Sequence, residues 1–370
     1  MAGASAGAWL SEAHRVCILE RESRPGYHAT GRSAALFSEL YGNSTIRALS
    51  RASRSFFVTP PSGFAEHPLV SPRGTLHIAR VDQLGALDAF AALPDVASAT
   101  RRISGAGARE LSPLLRPGYV AEAVYEPQAY DIDVHSLHTG FLRTIRANNG
   151  AVVVNAEALE LSRGSDRWVV HTDRGIFEAR IVVNAAGAWA DDIARRAGVP
   201  AIGIVPRRRT AVVVKLPDGM QVRNSPLTLD IDETFYFKPE AGSLLISPCD
   251  ETVAAAGDAQ PDEEDVAIAV HRIEEATVLQ IHQLQRKWAG LRTFTARRTP
   301  VVGYDERAAG FFWLAGQGGY GIQTAPALGR LAAALVAGSP VPSDLRAFGV
   351  DAAALSPVGI ERGVLPDLLT

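Results

Sequence analysis

"MAGASAGAWLSEAHRVCILERE" (1–22) decides how this chain is read. Small residues with glycines at Gly3 and Gly7 suit a helix, and "RVCILE" (15–20) follows as a strand ending on Glu20. In a dinucleotide site a strand enters Gly-x-Gly-x-x-Gly, and the helix start offers free N–H groups to the phosphates. An acidic residue about 20 positions after the first glycine then takes the ribose hydroxyls. With Gly3 as the third glycine, Glu20 falls at that distance. Ala2 and Gly3 then close the phosphate turn and Gly7 packs the helix. The preceding strand and the first two glycines fall before Met1, so the reading expects a truncated start. A Gly/Ala-rich helix start before a strand also occurs in many α/β proteins, so the rest of the chain must decide.

The chain has 370 residues, 47% apolar and 21% charged, with a net charge of −3. That is enough for two domains with full cores, and it gives no field favouring nucleic acid. The dense basic run is "PRRRT" (206–210). Two cysteines make no disulfide framework, and Cys17 inside "VCILE" reads as an inert buried thiol. No run is long and apolar enough to cross a membrane. A cytoplasmic location is expected, and peripheral attachment to the inner membrane face is compatible with it.

Strand-like and helix-like segments alternate, which predicts an α/β, two-domain (α+β) chain. Helices are expected at 4–13, 44–57 (capped by Asn43 or Ser44), 131–150 with Asp131 and Asp133 as helix-start carboxylates, 266–284 and 324–338. Strands are expected at 15–20, 73–80 and 311–316, with several in quick succession after 151. Nucleotide-type elements recur near the start, at 150–190 and at 311–337. The reading is a Rossmann-type cofactor domain from 1–60, 130–200 and 293–345. An inserted antiparallel-sheet substrate domain takes 61–129 and 201–292, and a tail takes 346–370.

Three further stretches suit a long, flat ligand. "RPGYHATGRSAALFSELYG" (24–42) is a glycine-rich turn with an arginine and a serine. "VVNAAGAWADDIA" (182–194) runs from a strand into small residues, including Ala186 and Gly187. "FFWLAGQGGYGIQTAPALGRLAAALVA" (311–337) is a strand, a Gly-Gly-x-Gly turn and a helix. Singly each is an ordinary turn; their order in one chain is specific.

These stretches, with "EPQAYDIDVHSLHTGFLR", "DETFYFKPEAGSLLISP" and "WAGLRTF", resemble the flavin-dependent amino-acid oxidase and dehydrogenase family. That family includes D-amino acid oxidase, glycine oxidase and sarcosine oxidase, and the likeness within it is to the bacterial D-arginine dehydrogenases. It runs in order from residue 1 to about 356. The resemblance implies non-covalent FAD. Glu20 and Arg21 would take the adenosine ribose and Ala158 the adenine. The flavin would lie against Ala29, Thr30, Gly31, Arg32, Ser33, Ala34, Ala35 and Leu36. Its pyrimidine edge would meet Gly318, Gly319, Tyr320, Gly321, Ile322 and Gln323, where a helix N-terminus favours negative charge. Arg292 matches the arginine that forks onto the substrate carboxylate, and Tyr41, Tyr236 and Arg209 match neighbours of that site.

Two positions depart from the D-arginine dehydrogenases. Thr75 stands where they carry a glutamate for the substrate guanidinium, and Leu36 stands where they carry a histidine. A threonine cannot offset the desolvation of a cation. The expected reaction is therefore oxidative deamination of uncharged, apolar D-amino acids by hydride transfer to flavin N5. It gives an imino acid that hydrolyses to a 2-oxo acid and ammonia. The electrons would pass to a quinone, a carrier or oxygen, with a dehydrogenase favoured over an oxidase. The alternatives are another small acid (a 2-hydroxy acid or secondary amine) or a cofactor-poor, non-catalytic remnant. No histidine or cysteine spacing suits a metal, and there is no G-x-S-x-G.

Overall fold

The computed structural model describes residues 1–220 and 222–360. The expected tail over 346–370 therefore lies outside the described residues from 361 onward.

An eight-stranded sheet organises one side of the molecule. Its order is Leu284–Phe294, Val205–Val214, Ser243–Ser247, Tyr236–Glu240, Leu227–Asp230, Thr75–Ala79, Glu122–Glu126 and Arg101–Ser104. Neighbours are antiparallel except Leu227–Asp230 with Thr75–Ala79, which run parallel. Strand side chains alternate between faces. Leu76, Ile78, Val212, Val214, Phe237 and Ile246 form a core with Val266, Ala269 and Ile273 of the helix Glu263–Ala276. The opposite face carries Ala211, Val213, Tyr236 and Leu245, and it packs on Ala34 and Leu36 of the expected flavin loop.

Short parallel ladders build the other side. Cys17–Leu19 pairs with Ala151–Val153, and Val182–Asn184 pairs with Phe311–Ala315. The helix Ala2–Leu10 packs between them and the helix Ala325–Val336. Gly7 permits this: a Cβ there would lie 2.9 Å from Ile18 and 3.0 Å from Ile145. At Gly329 a Cβ would strike Ser5.

Three expectations change. The helix placed at 266–284 spans Glu263–Ala276. Thr277 turns extended, and Val278 N–H bonds the Leu114 carbonyl, so the chain leaves the helix to feed the strand Leu284–Phe294. Asp131 does not start a helix. It lies in the strand Tyr130–Ile132 and takes Lys238 at 3.0 Å and Arg73 at 2.6 Å. The cap is Asp133, which accepts from Ser136 N–H at 2.8 Å ahead of Val134–Ala147. Cys17 is exposed rather than buried, because it begins a strand that pairs on one side only among the described residues. No described helix is long and apolar enough to cross a membrane.

Candidate active site

Strand register assembles the center of the site. Arg292 pairs with Arg207, Gly290 with Arg209, and Tyr236 with Ser247 and Leu229. Pairing and alternation put Arg209, Tyr236, Leu245, Gly290 and Arg292 on the face that meets the 29–36 loop. That loop is a short 3-10 turn, Ala29–Arg32, followed by the two-residue strand Leu36–Phe37. Gly31 has no alternative there, since a Cβ would sit 2.7 Å from the Gly26 carbonyl. Trp288 Nε1 donates to the Arg32 carbonyl at 3.0 Å and ties the loop to the sheet.

Arg292 is partly buried, and among the described residues its guanidinium makes no ion pair. Nη1 donates to the Tyr41 hydroxyl at 3.2 Å. Burial opposes the charge, but Tyr41, Tyr236 and Cys249 more than offset it, so the group stays protonated. Gly319 lies directly against this guanidinium, and a Cβ on it would fall 2.8 Å from Nη1. The Gly-Gly-x-Gly turn thus touches the arginine itself. Gly318 adopts φ +56° and donates its N–H to the Thr293 carbonyl at 2.7 Å. Tyr320 packs on Tyr41 with ring centroids 4.8 Å apart. Burial raises the pKa of Tyr236, which keeps its phenol neutral and able to donate.

Arg209 is committed to the protein. Its Nε donates to the Asp250 carbonyl at 2.8 Å, and Nη2 reaches Glu251 at 3.4 Å. Glu251 also takes Arg298 Nη2 at 2.8 and 3.0 Å. Burial opposes the charge of Glu251, but Arg298, Arg209 and Arg292 outweigh it and lower its pKa. Arg209 and Arg298 share this one carboxylate and Arg292 adds its charge nearby, so the corner is positive and suits an anion. Neither Glu251 nor Arg298 is legible in the sequence.

Thr75 does not present a free hydroxyl. It donates to Glu126 at 2.7 Å, as does Ser38. Glu126 is 2% exposed, and burial pushes its carboxyl upward. Ser38 N–H in turn donates to Gln323, whose amide bonds Ser50. The alternation of "RGTLHIAR" was the available signal that Thr75 and His77 share a face.

At the nucleotide end, Glu20 follows the strand Cys17–Leu19 and accepts Glu22 N–H through Oε1 at 3.0 Å. Arg21 lies over Trp189, 4.9 Å from its ring centroid, and reaches Glu157 at 3.6 Å, next to Ala158. Ala2 and Gly3 form the first turn of a helix without a side-chain cap, and a Cβ on Gly3 would just touch Ala185. Beyond Ala186, Gly187 has φ +57° with open space where a Cβ would point. His28 Nδ1 is buried without a partner. An uncapped helix start, an acidic residue at a strand end, open backbone at Gly187 and an orphaned polar atom fit an adenine dinucleotide. The groups that could hold it are the helix start, Glu20, Arg21 and the 185–187 turn.

The Arg32 side chain has protein partners of its own. Its guanidinium bonds Asp258 and the carbonyls of Ala259 and Ala289, both at 3.0 Å, so it clasps the loop to the sheet. Ser33 Oγ accepts Ala35 N–H, and Ile322 packs into the core beside Phe37.

This mixed α/β fold, with a cradle suited to a dinucleotide and an arginine-centred site, suits a flavoprotein oxidoreductase, and the family match bears that class out. The chain belongs to the DAO family of FAD-dependent oxidoreductases, whose model matches residues 1–335, and FAD is its cofactor. It is 26% identical to glycine oxidase of Geobacillus kaustophilus (strain HTA426) over 245 residues, 66% of this chain and 63% of that protein. It is 28% identical to human mitochondrial dimethylglycine dehydrogenase over 143 residues, 38% of this chain and 16% of that one. The chain thus aligns with less than two thirds of either relative. Its fold matches L-proline dehydrogenase from P. horikoshii with a TM-score of 0.83 and 21% identity, covering 99% of this chain and 96% of that one.

Proposed function

We propose that the protein oxidises an α-amino acid at its Cα–N bond, with uncharged side chains and the D enantiomer preferred. The observation that carries this is Arg292: a protonated, partly buried guanidinium, unpaired among the described residues and held by Tyr41 against the Gly319 backbone. Such a group calls for a carboxylate, which it meets with two parallel hydrogen bonds. Tyr236 and Tyr41 bracket that carboxylate, and Arg209 holds Glu251 in place while adding positive potential.

FAD, when bound, supplies the two-electron acceptor for the Cα–H hydride. The protein's contribution is position. The substrate side chain would meet Leu36, Leu227, Leu229 and Leu245, an apolar wall. Thr75 offers no charge, and Glu126 is shielded behind Thr75 and Ser38. A guanidinium side chain would therefore lose its water without gaining a partner. The imino acid then hydrolyses to a 2-oxo acid and ammonia, and the motif likeness favours a quinone or carrier over oxygen as final acceptor.

The relatives named for glycine, proline and dimethylglycine support the amine-next-to-carboxylate chemistry. They also make a secondary or N-methylated amino acid the second reading. The test is kcat/KM across D-leucine, D-methionine, D-phenylalanine, D-arginine, their L enantiomers, sarcosine and proline. The uncharged D-amino acids should lead. A preference for D-arginine would overturn the side-chain assignment, and a preference for sarcosine or proline would establish the second reading.

A further inference from the structure

A cavity of about 370 Å³ lies outside the carboxylate site, at the small end of the range for ligand pockets. Tyr41 and Tyr320 form its inner wall, so it adjoins Arg292 through one tyrosine. Leu40, Phe90 and Ile231 give it apolar surface.

Three features mark this cavity. His77 lines it, is 7% exposed, packs on Phe90 at 4.6 Å, and its Nε2 is buried without a hydrogen-bond partner. Burial holds the imidazole neutral, with its pKa down to about 4. A neutral imidazole keeps a bare lone pair, and leaving one unmet inside a protein is costly. Second, Glu233 sits at φ +54° in the turn between Leu227–Asp230 and Tyr236–Glu240. Glycine or asparagine is the usual choice for that conformation. Third, Arg298, which also lines the cavity, sits at φ +53°. Two charged residues of opposite sign thus hold strained backbone on one cavity, and such outliers gather at functional sites. Glu251 engages only Nη2 of Arg298.

We propose that this cavity is an antechamber that binds a zwitterionic α-amino acid before it passes Tyr41 to Arg292. The carboxylate meets the free side of Arg298, the ammonium meets Glu233 and His77, and the side chain lies on Leu40, Phe90 and Ile231. The assignment rests on the amino-acid reading of the site. It predicts two amino-acid sites in one chain, only one of which depends on Arg292.

The test uses Arg292→Met holoenzyme, which cannot fork the substrate carboxylate, and radiolabelled D-leucine in equilibrium dialysis. About one equivalent should still bind, and adding Glu233→Gln or Phe90→Ala should weaken it roughly tenfold or more. 4-Methylpentanoate and isoamylamine, each with one charge, should compete at least about tenfold more weakly than D-leucine. Retained flavin content and circular dichroism confirm that each variant is folded. If D-amino acids bleach the flavin of the parent enzyme but Arg292→Met binds none, the antechamber is wrong and the functional reading stands. The same holds if the single-charge analogues compete as well as D-leucine. If no amino acid binds or bleaches the parent, the functional reading falls and this one falls with it.

Discussion

On the proposed assignment, the nucleotide end and the substrate end of this site are built from different materials. At the nucleotide end the work falls to backbone: an uncapped helix start, open space above Gly187 and Gly31 against a carbonyl, with Glu20 as the main side chain. At the substrate end it falls to side chains on distant strands. Tyr41, Tyr236, Arg209 and Arg292 meet through the register of an eight-stranded sheet and one loop. Backbone cradles need small residues at fixed spacing, whereas side-chain sites need register. The two ends meet at Gly319, which belongs to the turn and lies against Arg292.

The largest expected effect separates the ends. Arg292→Met should lower kcat/KM for the amino acid by about 10²–10⁴-fold, the usual cost of truncating one partner of a desolvated charge pair. Flavin content should stay normal, and parallel loss of flavin would show that the two ends are not separable.

Next comes a proton effect that involves the substrate sheet. His77 has a folded pKa of about 4 against an ordinary value of 6.5, so between these the unfolded chain binds a proton that the folded one does not. Stability should fall as pH drops through that window, by about 3 kcal/mol at its lower end. His138, also at about 4, adds a similar slope. In urea melts from pH 7 to pH 4, His77→Gln should flatten the decline, and an unchanged slope would remove His77 from the account.

Glu20→Ala addresses the other end. FAD affinity should weaken by roughly 10- to 100-fold, the range for hydrogen bonds to a charged group, and excess FAD should restore turnover. Turnover that excess FAD cannot restore would place Glu20 in the substrate machinery instead. The smallest effect sharpens the junction. Gly319→Ala pushes on the flexible end of Arg292, so kcat/KM should drop about tenfold as the fork shifts by a few tenths of an ångström. No change would mean that the turn does not position the arginine.

Much of this was legible. Gly7 packs its helix as the opening implied, and of the two expected caps, Asn43 and Ser44, Asn43 is the one that caps its helix. Tyr41, Arg209, Tyr236 and Arg292 came from the likeness alone, because nothing local marks an arginine in a strand as unpaired. What escaped depends on tertiary contact. Cys17 looked buried from its apolar neighbours, yet its strand pairs on one side only among the described residues. The amphipathic run after 266 outlasts the helix, which ends where the Ala276 carbonyl and Val278 N–H bond to the 114–116 segment, and no periodicity reveals that. The partners of the Arg32 guanidinium, Asp258 and the carbonyls of Ala259 and Ala289, are likewise distant in sequence and equally invisible to it.

The most direct test of the central claim is anaerobic titration of the FAD-loaded enzyme with D-leucine, following bleaching of the flavin absorption, in the parent and in Arg292→Met. The account predicts complete bleaching of the parent and loss of rapid bleaching in the variant, with isoamylamine inert toward both. Bleaching of the two proteins at equal rates, or by the amine as readily as by the amino acid, would contradict it.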